Sequence, residues 1–439
     1  MPLLMPSKPA FPHVERLIWR TQINRGNDGS EQRVALRKVP RQILEYSFPF
    51  ASDAEVAALD NRLHAYAKGI WYVPLWGQQV GHTATLTAGA TAIAFSTTYG
   101  DWRSSGGGAY AVIWQSAAKH EVVTVSAVTA AGLTVSPLVN TYTGFKLVAP
   151  CRTGYLVGAV AKRRHGTGVA FLDAAWEVID NQYVSGHTAV LSRDNCEVLT
   201  IPAGVPAGIY EQQIEHDCEE IDSATGRRVL LDVTEFNRST QSHQFTNLTR
   251  AECWWFRRWL HAVNGPQKSF LVPTFRDDLV LAGDYSESDR TVTVVNRGFT
   301  DYMALNTMRD YVAFWIESTS TSGIALPTGG LPLGGLPDYG IPGVESGAVV
   351  PIVRRVDAME EVSASTERIT IDEAVGWPVA AGASLSWVDR CRIADDAVTI
   401  EWLRPDVQKV ELQVSRVRNN ILVGGNEVPG IGIAGVAAV

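Results

Sequence analysis

The most site-like string in this chain is EHDCEE, Glu215 to Glu220. In an extended segment alternate side chains share a face, so His216, Cys218 and Glu220 would point one way and Glu215, Asp217 and Glu219 the other. The first set has the donor types to hold a cation. An acidic, solvent-facing strand accounts for the same string, and no second ligand cluster accompanies it, so neither a metal nor another cofactor is expected. Other chemistry leaves no signature: the sequence has no GxSxG, Walker loop, HExxH, or GxGxxG placed between strand and helix. SSGGGAY, residues 104 to 110, reads as a turn before a strand. His64 and His261 stand at the ends of two helical segments, where an imidazole faces the last carbonyls. These readings point to a protein that is not an enzyme.

The elements that carry these residues are written twice. Phe48 answers Phe245 at an offset of 197 residues, and the offset runs without a gap through Glu55/Glu252, Leu63/Leu260, His64/His261 and Ala65/Ala262. Ser52 with Glu55, and Thr249 with Glu252, fit the capping box, in which hydroxyl and carboxylate satisfy orphan amides at a helix start. Val56, Leu59 and Leu63 fall on Cys253, Phe256 and Leu260, one apolar stripe in the same phase. After each helix comes an aromatic, β-type run, IWYVPLW (70 to 76) and FLVPTF (270 to 275). Further matches pair Asp101/Asp301, Tyr110/Tyr311, Trp114/Trp315, Leu133/Ile369 and Cys151-Arg152/Cys391-Arg392. Upstream, Gln22-Ile23 answers Gln213-Ile214, and Arg33-Val34 answers Arg228-Val229. Their common order implies an internal duplication.

Between the helices lie short runs that alternate Val, Ile, Thr and aromatics with polar residues, such as EVVTVSAV and KVELQVSRV, the signal of half-buried antiparallel strands. The expected fold is mainly β within the α+β class: tandem duplicated β-sandwich or barrel units, each with one capped helix packed across the sheet. The expected boundaries are an N-terminal arm (1 to 14), unit 1 (15 to 180), a linker (181 to 206), unit 2 (207 to 418) with a Gly/Pro loop at 327 to 348, and an apolar Gly/Ala tail (419 to 439).

Composition narrows the partners. A chain of 439 residues with 46% hydrophobic and 19% charged residues is foldable, and a net charge of −8 argues against a nucleic-acid clamp. Five cysteines without a CxxC pair disfavour a disulfide framework and a zinc finger, and fit a reducing cytoplasm. No stretch approaches the roughly 20 apolar residues of a membrane helix, and no secretory signal opens the chain, so it reads as soluble. Trp254, Trp255 and Trp259 stand where the first copy has Ala57, Ala58 and Arg62. Off the shared stripe, large aromatics mark a candidate protein interface. Leu331, Leu333, Leu336 and Ile341, apolar residues among glycines in the 327 to 348 loop, make a second candidate. Trp71, Trp76, Trp102 and Trp114 offer an alternative, a platform on which a carbohydrate-binding module would stack sugar rings for host-surface attachment.

SEQRVALRKVPRQILEYSF (30 to 48), the capped helix after it, and WFRRWLHAVNGPQKSFLVPTFRDDL (255 to 279) together resemble the tail-tip and baseplate proteins of long-tailed bacteriophages, of the distal-tail and tail-hub type. The resemblance implies a structural virion protein at the tail tip, assembled in the host cytoplasm, with no active site. It implies a ring that contacts the tail-tube protein on one side and tape-measure, hub or fibre proteins on the other, leaving a lumen through which DNA passes. Such tails are six-fold at the tube and three-fold at the hub. Three copies of a two-unit chain present six similar surfaces, so a homotrimer is expected and a homohexamer is the alternative.

Overall fold

The computed structural model describes residues 2–25, 31–50, 52–105, 109–164, 170–189, 191–200, 211–215, 218–222, 226, 228–232, 238–247, 249–303, 310–317, 349–417, 422–423 and 426–427. The fold is mainly β, with long antiparallel ladders. In the first unit the strands are β1 (Leu3–Leu4), β2 (Ala10–Arg25), β3 (Glu31–Phe50), β4 (Trp71–Pro74), β5 (Val80–His82), β6 (Ala92–Ala94), β7 (Tyr110–Ser116), β8 (Lys119–Thr129), β9 (Gly132–Val135), β10 (Lys146–Arg164) and β11 (Ala170–Val178), with helix α1 (Asp53–Tyr66) after β3. β3 pairs with β2 and β11, and β11 with the second half of β10. The first half of β10 instead pairs with β4, β5 and β7, and β6 to β9 close a smaller layer beside it.

Alternation along β3 explains the layering. Leu44, Tyr46, Phe48 and Phe50 are buried, while Arg41, Ile43, Glu45 and Ser47 take the opposite face. Val56 and Leu59 of α1 join the buried face, together with Leu172, Trp176 and Trp71. The Ser52 hydroxyl accepts the Glu55 amide at 3.2 Å and so starts the helix where the sequence places it.

Two short strands, β12 (Ser192–Arg193) and β13 (Cys196–Glu197), lie between the units. The second unit then comprises β14 (Glu211–Glu215), β15 (Cys218–Asp222), β16 (Arg228–Asp232), β17 (Arg238–Asn247), helix α2 (Arg250–Val263), β18 (Phe270–Pro273), β19 (Leu279–Val280), β20 (Thr291–Val295), a short α3 (Phe299–Met303), β21 (Tyr311–Glu317), β22 (Val349–Ser363), β23 (Thr366–Ile371), β24 (Ser384–Ile393), β25 (Ala397–Arg404) and β26 (Val407–Arg416). Its ladders repeat those of the first. Phe48 faces Leu172 and Phe245 faces Val410; Tyr110 faces Cys151 and Tyr311 faces Val388; Val80 faces Val148 and Leu279 faces Leu385. Ile93 faces Leu133 as Val292 faces Ile369. Thr249 completes a full capping box with Glu252. One difference stands out: where β10 runs on through a bulge, the second unit breaks into β24 and β25.

The ladders correct three sequence pairings. Pro74 and Tyr110 both face Cys151, and their counterparts Pro273 and Tyr311 both face Val388. Val388 is therefore the equivalent of Cys151, and Cys391 that of Gly154. Ile18 faces Arg41 as Glu215 faces Arg238, and Thr21 faces Ala35 as Cys218 faces Asp232, which keeps the 197-residue offset through the first hairpin. Gln22 thus corresponds to Glu219 and Arg33 to Leu230, not to Gln213 and Arg228. Two-letter likeness slips along a strand; a hydrogen-bonded register, which decides the face of every side chain, does not.

The N-terminal arm is also corrected. Leu3 and Leu4 add in parallel to β4, Leu4 and Met5 are buried, and the Trp114 indole donates to the Pro6 carbonyl at 2.8 Å. β2 already begins at Ala10, so the apolar start of the chain is part of the first unit's core and sheet. The tail at 419 to 439 lies outside the described residues except for two short paired strands, Leu422–Val423 and Asn426–Glu427.

Candidate functional site

The densest set of polar contacts that holds the two units together lies where β2 meets β25. These strands pair antiparallel from His13 opposite Trp402 to Ile18 opposite Ala397, so the order β14–β17–β26–β25–β2–β3–β11–β10 is one continuous sheet through both units. Leu17 and Trp19, on a first-unit strand, are buried in the second unit's core with Phe256, Trp259 and Leu260. The first unit's hairpin also crosses over: the Arg33 guanidinium donates to the carbonyls of Pro266 at 3.0 Å and Ile393 at 3.2 Å, steadied by Glu31 at 2.7 Å.

At the centre sits the Glu15 carboxylate, 2% exposed. It accepts from Arg257 of α2 at 2.6 Å, from the Gln42 amide at 2.6 Å and from the Trp402 indole at 3.0 Å. A buried charge needs this many donors to offset lost hydration. Burial opposes the Arg257 charge, yet the Glu15 and Asp101 carboxylates beside it raise its pKa on balance. Arg250, the first residue of the same helix, donates to the carbonyls of Gln78 and Gln79 at 3.1 and 2.7 Å. Behind them Asp101 is clasped by Arg103 at 2.8 Å and Arg152 at 3.0 Å; burial opposes its charge, but the guanidiniums win and hold its carboxyl well below the usual range.

Gly77 decides how closely the units approach. A Cβ there would lie 2.4 Å from Trp402 Cδ2. Gly77→Ala is therefore expected to cost about 1–3 kcal/mol by overpacking the seam. A urea titration followed by tryptophan fluorescence would check this, and an unmoved midpoint would refute it.

The sequence-predicted residues separate into three groups. Trp255 and Trp259 are a correction: at 7% and 0% exposure they are core, Trp255 stacked parallel to Trp259 and edge-on to His187, and Trp259 edge-on to Phe270. The second helix is covered on an additional side by the first unit and the linker, so its extra aromatics pack inward. Trp254 remains half-buried and lines a small crevice with Gly77, Tyr99 and Gly100 of the first unit. Leu331, Leu333, Leu336 and Ile341 lie outside the described residues, as does His216. The backbone of Cys218 and Glu220 is described, opposite Asp232 and Leu230, and no cluster of potential metal ligands occurs among the described residues. His261 does not face helix-end carbonyls as expected: its Nδ1 accepts the Val184 amide at 3.4 Å and its ring lies edge-on to Trp19. Trp71 and Trp76 are buried, which removes them from any sugar-stacking platform; Trp102 and Trp114 are half-buried.

A cleft of about 690 Å³ between the units is lined by Lys8, Phe11, Phe145, Arg250 and Asp406, among others. The four cysteines with described side chains, Cys151, Cys196, Cys253 and Cys391, are buried, and burial raises the thiol pKa of Cys151 and Cys253 to about 12, the wrong direction for a nucleophile. No described helix is long and apolar enough to cross a membrane. No known family model matches the chain, and no curated protein matches it. The seam residues Glu15, Arg257 and Gly77 carried no local signal in the sequence. Only the duplication hinted at them, since two fused copies must meet somewhere.

Proposed function

We propose that this protein is a structural component of the tail tip of a long-tailed bacteriophage, a ring subunit that joins a six-fold tail tube to a three-fold hub or fibre. The observation that carries the reading is the side-by-side fusion of two similar units into one continuous sheet, with α1 and α2 on one face. The other face is polar and open: Arg16 pairs with Glu45 at 3.0 Å and Arg41 with Glu177 at 3.3 Å, and Thr399, Glu411 and Gln413 are exposed. A closed ring of such sheets has helices outside and a hydrophilic lumen inside. Together with the net charge of −8, that lumen suits passage of DNA without retention. Tail-tube protein would dock on one rim and tape-measure, hub or fibre proteins on the other.

Three chains supply six near-equivalent units. Light scattering with electron-microscope class averages is expected to give particles of about 143 kDa, three times the 47.8 kDa chain, with six lobes around a hole. Six chains per ring would retain the tail-tip assignment and replace the symmetry-matching role. A protein that stays monomeric even with tail-tube protein present would overturn the proposal.

A further inference from the structure

The join inside the chain specifies what the two outer edges of the sheet would meet. β2 adds to β25, but their equivalents do not meet in the same way. Among the described residues β14 has a ladder only with β17, and the second half of β10, Tyr155 to Arg164, only with β11. We infer, resting on the ring reading above, that β14 of one copy adds antiparallel to the second half of β10 of the next, repeating the internal join between chains.

The register follows residue by residue. Arg16 faces Ile43 as Gln213 faces Thr240, and Thr399 faces Glu411 as Ala161 faces Asp173. Since Arg16 lies opposite Thr399, Gln213 comes to lie opposite Ala161; since Val14 lies opposite Glu401, Glu211 comes to lie opposite Arg163. The paired edges carry opposite charges: Glu211 lies on one, and facing it on the other is Arg163, whose guanidinium also pairs with Asp173 of its own chain.

Burial identifies the missing neighbour. Leu17 is 1% exposed because the second unit covers it, whereas its equivalent Ile214 is 59% exposed. On the receiving side, Leu63 and Val160 are only partly buried against the first core. α2 is buried along most of its length, but α1 leaves Ala54, Ala57, Ala58, Asn61 and Ala65 exposed. The second unit of another copy would supply to the first unit the strand that the first unit supplies to the second. An exposed edge beside an apolar residue is otherwise an aggregation liability, and head-to-tail joins of this kind close into rings.

Cysteines placed at Gln213 and Ala161 in the full-length chain test the seam. Directly opposed strand residues have Cα atoms about 4.5–5.5 Å apart, within disulfide reach. Mild oxidation of the Gln213→Cys/Ala161→Cys protein is expected to yield reducible dimers and trimers on a denaturing gel, which neither single variant gives. Glu211→Arg and Arg163→Glu should each raise the concentration needed for assembly roughly three- to tenfold, from like charges opposed across a ladder, and the double exchange should restore it. Rings whose cysteines stay unlinked would overturn this seam while leaving the ring standing; a chain that is monomeric and unlinked at every concentration would overturn both.

Discussion

Glu15→Ala is expected to lower the stability of the folded chain by about 3–5 kcal/mol, because it removes the one carboxylate that hydrogen-bonds the buried Arg257 guanidinium among the described residues and leaves only the more distant Asp101 charge. Arg257 is 4% exposed and lies 2.6 Å from the lost carboxylate, and Gln42 and Trp402 would lose their acceptor as well. The physics also predicts the control. Replacing both partners, Glu15→Leu with Arg257→Met, removes two desolvated charges at once and is expected to recover most of the loss. Denaturant midpoints for the two proteins measure this directly. A single variant as stable as the parent would mean that water reaches the pair.

Acidification is expected to weaken the fold well before the carboxylates titrate. His13, His243 and His261 are 1–3% exposed, and burial, first among the causes, lowers their pKa values from 6.5 to about 3, 4 and 3. Lys8 near His13, Arg276 near His243, and Arg257 and Arg103 near His261 push the same way; Asp389 near His243 and Asp101 near His261 oppose, the former more than Arg276 and the latter more than Arg103, but neither offsets burial. Each folded pKa lies below the unfolded one. The unfolded chain therefore binds more protons in this range, and stability that is full above pH 6.5 is lost as pH falls toward 4. At about 1.4 kcal/mol per pH unit per group, the three together cost on the order of 6 kcal/mol at pH 5. That is comparable with the whole stability of many domains, about 5–15 kcal/mol. Urea midpoints measured between pH 7 and pH 5 should drop steeply, and His261→Gln should flatten the slope. A flat profile across that interval would rule the account out.

Both expectations concern residues that look ordinary in the sequence. Glu15 sits between Val14 and Arg16 in a run that alternates as any surface strand does, and His13 follows a proline in a segment that composition marks as an arm. Their burial comes from strand β25, almost 390 residues away. Trp255 and Trp259 show the converse. Large aromatics off the shared stripe suggest a partner, and the partner turns out to be the chain's own core and linker.

What the sequence determined by itself is local. The two helix starts at Ser52 and Thr249, the alternation of β3 and β26, and the shared apolar phase of α1 and α2 all depend on residues within a few positions of one another. Capping, side-chain period and amphipathic phase act over just that range. The tertiary structure decided which strand edges meet, and hence the register of β2 on β25, the burial of Glu15 and, among the described residues, the edges of β14 and of the second half of β10 that no further strand joins. Edge pairing is a sum of many small contacts spread over distant segments, and backbone hydrogen bonds are nearly the same whichever strand offers them. The contacts that cross the seam, Trp402 against Gly77, Arg257 on Glu15 and Arg33 on the carbonyls of Pro266 and Ile393, select one edge over another.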